Sequence, residues 1–160
     1  MAEPDDPPIL IYVDADACPV KDEVARVALR HGLGVKFVSN AFMRLPEGPG
    51  FERVVVPEGP DVADDWIAER AGPLDIVVTQ DIPLASRCVT AGAIALALNG
   101  KMHTPGNMGM TLATRNLMAH LRETGAAQTY NAAFTRADRS SFLQALEQAV
   151  QLAKRKTPKA

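Results

Sequence analysis

The sequence predicts an α/β fold, a three-layer α/β/α sandwich around a mostly parallel five-stranded sheet. Short apolar runs alternate with helix-like stretches of about ten residues, which is the pattern of successive βαβ units. The runs are continuously apolar rather than alternating, as expected for strands that are covered on both faces. With 160 residues, 47% hydrophobic and 22% charged, the chain fits one globular domain, which we place at residues 9–153.

The elements of this fold are assigned in chain order. Strands are predicted over 9–14, 35–38, 54–56, 76–79 and 93–98. Helices are predicted over 19–31, 61–71 and 82–90, from 109 to about 123, and from 138 or 140 to 153. Residues 43–52 hold two prolines and two glycines and should form a loop, while 125–137 should be irregular.

The termini and the cysteines exclude several protein classes. Residues 1–8 are acidic and proline-rich, unlike a signal peptide, so we expect a short flexible tail in a cytoplasmic protein. Residues 154–160 should form a basic tail. No apolar run reaches the eighteen or so residues of a membrane span. Cys18 and Cys88 are too few for a disulfide framework or a zinc site, and Cys18 is expected to be buried rather than a nucleophile.

The net charge of −2 hides an uneven distribution along the chain. Residues 1–85 carry sixteen acidic and seven basic side chains, whereas residues 86–160 carry three acidic and ten basic ones. This difference is either a tolerated imbalance or an acidic, metal-binding half beside a basic half that receives a phosphate backbone.

Acidic residues follow the predicted strands and should meet at one edge of the sheet. Asp14 and Asp16 leave the first strand, Asp81 leaves the fourth, and an acidic group that includes Asp64 opens the helix after the third. Ligands of parallel sheets bind at the carboxyl ends of the strands. Crowded carboxylates require a cation or a proton, and oxygen ligands suit Mg²⁺ or Mn²⁺. We predict as metal ligands Asp14, Asp16, Asp61, Asp65 and Asp81, with Asp14, Asp16 and Asp81 also catalytic.

Some of these acids also have a purely structural interpretation. Asp61 could cap the second helix with Asp64 as its reciprocal partner, and Asp81 could cap the third. Asp65 is harder to explain in this way, because like charges four residues apart destabilise a helix. Asp14 is the strongest candidate, since a carboxylate at the end of an apolar strand is costly unless something binds it.

Other polar residues near strand ends could contact a phosphate group or simply be solvated. The substrate-binding candidates are Ser39, Asn40 and Thr79 at strand exits, and Lys101 and Arg115 after the fifth strand.

Three motifs resemble the YaiI/YqxD family, the UPF0178 or DUF188 proteins. They are YVDADACPVK at 12–21, GPDVADDWI at 59–67 and IVVTQDIPLA at 76–85, and Asp138-Arg139 with Phe142 resembles the family's closing motif. The resemblance covers about residues 9–150. It implies a family without an established activity that is grouped with PIN-like domains, which are metal-dependent nucleases with a small parallel α/β/α sandwich.

The resemblance also implies roles for single residues. Asp14 would be the first PIN-like acid, Asp65 or Asp61 the middle one, and Asp81 the third. His103 departs from a tyrosine that the family usually has, and Gly106 stands where an acid is common. PIN-like domains often dimerise, so a homodimer is a possible assembly by analogy.

These observations lead to one leading hypothesis and two rivals. The first is a hydrolase that uses Mg²⁺ or Mn²⁺ to cleave RNA or DNA phosphodiesters, with a basic half that tracks the backbone. The second is a non-catalytic RNA- or nucleotide-binding module with a metal-binding acidic rim. The third is a phosphatase of the haloacid-dehalogenase type with Asp14 as nucleophile, although the order of its motifs does not match.

Overall fold

The computed structural model describes residues 9–59, 61–123 and 134–156. The predicted tail 1–8, residues 157–160 and most of the predicted irregular stretch lie outside this range. The strands are β1 (Leu10–Asp14), β2 (Gly34–Ser39), β3 (Phe51–Val55), β4 (Ile76–Val78), β5 (Ile94–Leu96) and β6 (Met102–His103). The helices are α1 (Lys21–His31), α2 (Val62–Arg70), α3 (Ile82–Thr90), α4 (Pro105–Glu123) and α5 (Arg136–Lys156). A short 3₁₀ helix spans Ala15–Ala17.

The sheet confirms the predicted α/β architecture but has six strands instead of five. Its order is β3-β2-β1-β4-β5-β6, and all pairs are parallel except β5 with β6. The missed strand β6 is only two residues long and follows a turn in which Gly100 has φ of 95°. A strand this short has too few side chains to show a periodic pattern in the sequence.

The strand order places a crevice at the centre of the sheet. From β1 the chain moves outward through β2 and β3, then returns to the other side of β1 with β4 and continues to β5. Strand order therefore reverses between β1 and β4. In an open α/β sheet this is the position at which the carboxyl ends of the strands form a ligand-binding crevice.

Successive residues of β1 point to opposite faces of the sheet, and each face has its own apolar core. Ile11 and Val13 belong to a buried cluster that includes Val24 of α1 and Leu146 of α5. Tyr12 belongs to a second cluster, which contains buried side chains of β4, α2 and α3: Val77, Ile67 and Leu84. This alternation is the period of two of a β-strand, and it produces the three layers.

Two helices begin earlier than predicted because of reciprocal capping interactions. At the start of α4, the amide of Thr104 donates to Asn107 Oδ1 and the amide of Asn107 donates to Thr104 Oγ1. At the start of α5, Thr135 and Asp138 exchange the same pair of hydrogen bonds, at 3.0 Å each. Asp138 is therefore the third helical residue rather than the cap.

Two further boundaries differ from prediction. β3 begins at Phe51 because its backbone pairs with β2, although Glu52 and Arg53 are exposed at this edge. Lys154 to Lys156, which were assigned to a basic tail, form the last turn of α5. No helix in the described ranges has the length and apolar character needed to cross a membrane.

Candidate functional site

Thr79 joins the first and third predicted acids at the central crevice. Asp14 is the last residue of β1, and its Oδ2 accepts a hydrogen bond of 3.0 Å from Thr79 Oγ1. The same hydroxyl oxygen accepts from the amide of Asp81, also at 3.0 Å. Thr79 is buried, with 1% of its surface exposed. The parallel pairing of β1 with β4 therefore brings Asp14 and Asp81 to one polar junction, as the sequence predicted.

Asp81 has both a structural role and a place in the site. Its Oδ1 accepts a hydrogen bond of 2.8 Å from the amide of Leu84, which makes it the N-cap of α3. This capping confirms the structural interpretation of the residue. The cap occupies one carboxylate oxygen, so Oδ2 is available for a further interaction.

Asp64 completes a group of three carboxylates with Asp14 and Asp81, which we call the acid cluster. Burial, followed by the charges of Asp81, Asp14 and Asp61 and a hydrogen bond with Asp81, raises the pKa of Asp64 to about 6. Two carboxyl groups can share a hydrogen bond only when one of them holds a proton. Asp64 and Asp81 also line the same pocket, which places the two side chains close to each other.

The pKa of Asp14 is also raised, and the causes again include its acidic neighbours. Burial is the largest cause, and the charges of Asp16 and Asp81 add to it, while the hydrogen bond from Thr79 opposes them. Within the described ranges, no Lys or Arg forms an ion pair with any member of the acid cluster. The cluster thus favours an added positive charge.

The other predicted ligands are held in different ways. Asp16 is exposed on the 3₁₀ helix, where its two carboxylate oxygens accept from the amide of Asn40 at 3.1 and 3.3 Å. Asp65 accepts a hydrogen bond of 2.6 Å from Arg87 Nη1, and both side chains are about half exposed. Asp61 precedes α2 with φ of 65° and its side chain makes no capping hydrogen bond, so its capping interpretation is wrong.

A pocket of about 230 Å³ opens beside the acid cluster. It places two guanidinium groups near the carboxylates, and it is lined by Asp61, Asp64, Asp65, Asp81, Pro83, Leu84, Arg87 and Arg115. Arg115 is a predicted substrate-binding residue, and its Nη1 donates to Asn116 Oδ1 at 3.3 Å. The combination offers oxygen ligands to a cation and positive charge to a phosphate group.

The remaining substrate-binding candidates lie outside this pocket. Lys101 is exposed, and its Nζ donates to Thr111 Oγ1 at 3.5 Å. Ser39 is buried and donates its hydroxyl hydrogen to the carbonyl of Ala41 at 2.7 Å. This hydrogen bond fixes the chain after β2, so the Ser39 hydroxyl group is not presented to a substrate.

The acid cluster suits a hydrated cation better than a closed cage. In the part of the chain that the structure describes, no three or more His, Cys, Asp or Glu side chains are arranged to hold a metal ion directly. Mg²⁺ commonly keeps several waters and uses only one or two protein carboxylates. An oxygen-only donor set built around the Asp64–Asp81 pair, with Asp14 beside it, fits that chemistry.

Asp64 and Arg87 were not among the predicted site residues. In a helix each residue advances by about 100°, so Asp65 lies opposite the stripe of Ala63 and Ile67, while Asp64 lies about 80° from the centre of that stripe. Ala63 and Ile67 are the buried residues of α2. Helical periodicity could therefore have selected Asp64 over Asp65 as the inward acid. No sequence pattern singles out Arg87, because it is one polar residue on an amphipathic helix.

Two residues outside the acid cluster, Cys18 and His103, are buried. Cys18 is buried, and burial raises the pKa of its thiol to about 11, which agrees with a structural role rather than a nucleophile. His103, which departs from the family's usual tyrosine, is also buried. It is only 4% exposed, and neither ring nitrogen has a hydrogen-bond partner among the described residues.

The fold and the site define an α/β protein with an acid-rich crevice at its strand-order reversal. The chain belongs to the YaiI/YqxD family: the DUF188 family model, described as "Uncharacterized BCR, YaiI/YqxD family", matches residues 12–152. It is 58% identical over 148 residues to a UPF0178 protein of Parvibaculum lavamentivorans, covering 92% of this chain and 97% of the relative. A UPF0178 protein of Gluconobacter oxydans is 55% identical over 146 residues, covering 91% and 83%. No solved structure gives a significant match.

Proposed function

We propose that this protein is a metal-dependent hydrolase that cleaves phosphodiester bonds of RNA or DNA with Mg²⁺ or Mn²⁺. The observation that carries the proposal is the acid cluster: Thr79 links Asp14 to the backbone of Asp81 at the central crevice, and the charges of Asp14 and Asp81 help to raise the pKa of Asp64. A bound cation would supply a water of lowered pKa and would stabilise charge on the phosphoryl oxygens.

Each residue of the site has a physical task in this proposal. Thr79 orients Asp14 through its hydroxyl group and receives the amide of Asp81, so one buried side chain sets the spacing of the two acids. The cap at Leu84 fixes the Asp81 carboxylate on a rigid helix end. Such fixed orientation is what supports a productive ligand geometry.

The two arginines beside the pocket would attract the phosphate backbone. Arg87 already donates to Asp65, so part of its charge is neutralised within the protein. Arg115 is exposed on α4 and has no ion pair in the described ranges, which makes it the better candidate for a phosphate contact. The proposed division is therefore carboxylates for the cation and Arg115 for the substrate.

The proposal is tested by cleavage of single-stranded RNA and DNA oligonucleotides with and without Mn²⁺. We expect Mn²⁺-dependent cleavage by the wild type and a loss on the order of 100-fold or more in Asp14→Asn and Asp81→Asn. Asp75→Asn is the matched control, because Asp75 precedes β4 at the opposite edge of the sheet and accepts from the amide of Gly72 at 2.9 Å. It should cleave like the wild type.

Cleavage that persists unchanged in both acid-cluster variants would overturn the proposal. The rival is the non-catalytic RNA- or nucleotide-binding module with a metal-binding acidic rim. That rival predicts salt-sensitive oligonucleotide binding that survives EDTA, without turnover.

A further inference from the structure

Phe42 is a large aromatic side chain that lies almost entirely in water. It follows β2 and is 77% exposed, the highest value among the large hydrophobic residues of the described ranges. The guanidinium carbon of Arg53 lies 4.2 Å from the centre of the ring. Arg53 is itself held by a hydrogen bond of 3.0 Å from Nη2 to the carbonyl of Met43. One face of the ring thus rests on a fixed cation, and most of its surface is left to solvent.

The segment that carries Phe42 is tied to the edge of the sheet that holds the acid cluster. The amide of Asn40 donates to the carboxylate of Asp16, two residues after Asp14. Two residues span at most about 7 Å, so this hydrogen bond keeps the Cα atoms of Phe42 and Asp14 within roughly 20 Å of each other. A short oligonucleotide can span that distance.

The chemistry around Phe42 suits an unpaired base and its phosphates. Arg44 is exposed and has no ion pair among the described residues. Aromatic rings beside arginines bind single-stranded nucleic acids without sequence readout, because every base has a π-face and every linkage a negative charge. The packing of the fold gives no reason for an aromatic ring at this position, since an exposed ring buries little apolar surface.

We propose that Phe42, supported by Arg53 and accompanied by Arg44, is a stacking platform for an unpaired base of a single-stranded nucleic acid. This inference rests on the proposed function and deepens it. It names single strands rather than duplexes as the substrate class. The platform would hold a strand whose neighbouring linkage reaches the acid cluster.

The test is fluorescence anisotropy of labelled oligouridine RNA and oligothymidine DNA, measured in EDTA so that binding is separated from metal and cleavage. Loss of one stacking interaction should weaken binding of Phe42→Ala by about 5- to 100-fold. Phe42→Trp should retain affinity. Met110→Ala is the matched control, because Met110 is 75% exposed on α4, and its affinity should equal that of the wild type.

Abasic oligonucleotides identify the interaction as stacking. On a strand of the same length without bases, wild type and Phe42→Ala should bind equally, because the phosphate charge is unchanged and no base is left to stack. Arg44→Gln should reduce the slope of log affinity against log salt by about 1 while leaving the preference for bases intact. A Phe42→Ala defect of equal size on abasic strands or on duplexes would overturn the proposal.

The outcomes separate this inference from the proposed function. A Phe42→Ala defect without cleavage by the wild type would support the platform and reject the hydrolase. Cleavage by the wild type together with unchanged binding by Phe42→Ala would support the hydrolase and reject the platform. If the wild type binds no oligonucleotide, the platform proposal fails and the exposed ring is left for a protein partner.

Discussion

Two carboxylate sites in this protein have opposite electrostatics. At the first, which we call the Glu147 cluster, the carboxylate accepts from Arg30 Nη1 at 3.1 Å, from His31 Nε2 at 2.9 Å and from Gln151 Nε2 at 3.0 Å. Hydrogen bonds from Gln151 and His31 are the main reasons why the pKa of Glu147 is lowered. In the acid cluster, burial and neighbouring acids raise the pKa values of Asp14 and Asp64 instead.

This contrast separates a carboxylate that protein donors satisfy from carboxylates that crowd one another. Lys154 Nζ donates to His31 Nδ1, so the other ring nitrogen of His31 can donate to Glu147 while the ring is neutral. The Glu147 cluster therefore satisfies its carboxylate by protein donors alone and joins α1 to α5. Among the described residues, side-chain hydrogen bonds reach the acid cluster from Thr79 and the amide of Leu84. Protein donors explain the first site, and in the proposed function a bound cation would balance the second.

The largest expected effect tests whether the Glu147 cluster is secondary to apolar packing. Leu146 is fully buried between α5 and the sheet. Leu146→Ala should lower the free energy of unfolding by about 2–5 kcal/mol, because it removes buried methyl groups and leaves a cavity. Urea unfolding measures this, with Gln148→Ala as the exposed control on the same helix, expected near zero. If Leu146→Ala lowers the free energy of unfolding no more than Glu147→Gln does, apolar packing is not the main interaction that stabilises α5.

A smaller change in the free energy of unfolding, of opposite sign, is expected at the acid cluster. Asp64→Asn should raise the free energy of unfolding by about 1 kcal/mol at pH 8 in EDTA, a rise in Tm of about 2–4 °C, after allowance for solvent screening. The amide removes a charge that Asp81 and Asp14 oppose. The neighbouring variant Asp65→Asn loses its hydrogen bond with Arg87 and should be neutral or slightly destabilised.

The pH dependence of the Asp64→Asn effect follows from the direction of the pKa shift. The folded protein raises this pKa from 3.8 to about 6. Ionisation therefore destabilises the folded state, and the penalty is complete above pH 6 and absent below 3.8. The stability gain of Asp64→Asn should disappear between pH 8 and pH 4 in thermal unfolding curves. A gain that grows on acidification would contradict the account.

The smallest expected effect belongs to Glu147. Glu147→Gln should lower the free energy of unfolding by about 0.2–1 kcal/mol at pH 7, because the contacts are largely exposed to solvent. The pKa of Glu147 is lowered from an ordinary value of 4.5, so its contribution is present above pH 4.5 and is lost as the pH falls through the folded-state pKa. Chemical denaturation at pH 7 and pH 3 measures this loss. Equal costs at both pH values would exclude an electrostatic origin.

The sequence was sufficient to predict the sheet edge at which the acids meet. The apolar run 9–14 ends in Asp14 and the run 76–79 is followed two residues later by Asp81, and parallel strands bring such ends together. The choice between Asp64 and Asp65 was open to the same reasoning, because the buried stripe of α2 gives its orientation. Asp65 was preferred because of its spacing from Asp61 and the family resemblance, while Asp64 was interpreted as part of a helix cap.

Other features depend on contacts that no local pattern records. The hydrogen bond from Thr79 to Asp14 joins residues 65 positions apart, and the pair of Arg87 with Asp65 depends on the packing of two helices. His103 became buried because the two-residue strand β6 folds back along β5. Such contacts follow from side-chain conformations in the assembled fold, which sequence periodicity does not determine.

The most direct test of the central claim is a calorimetric titration of the protein with Mn²⁺. The acid cluster should bind Mn²⁺ in the wild type and in the opposite-edge control Asp75→Asn. Asp14→Asn and Asp64→Asn should bind it at least about 10-fold more weakly, because each removes a carboxylate that the cation would neutralise. Absence of Mn²⁺ binding in the wild type, or equal binding in all four proteins, would contradict the assignment of the acid cluster as a cation site.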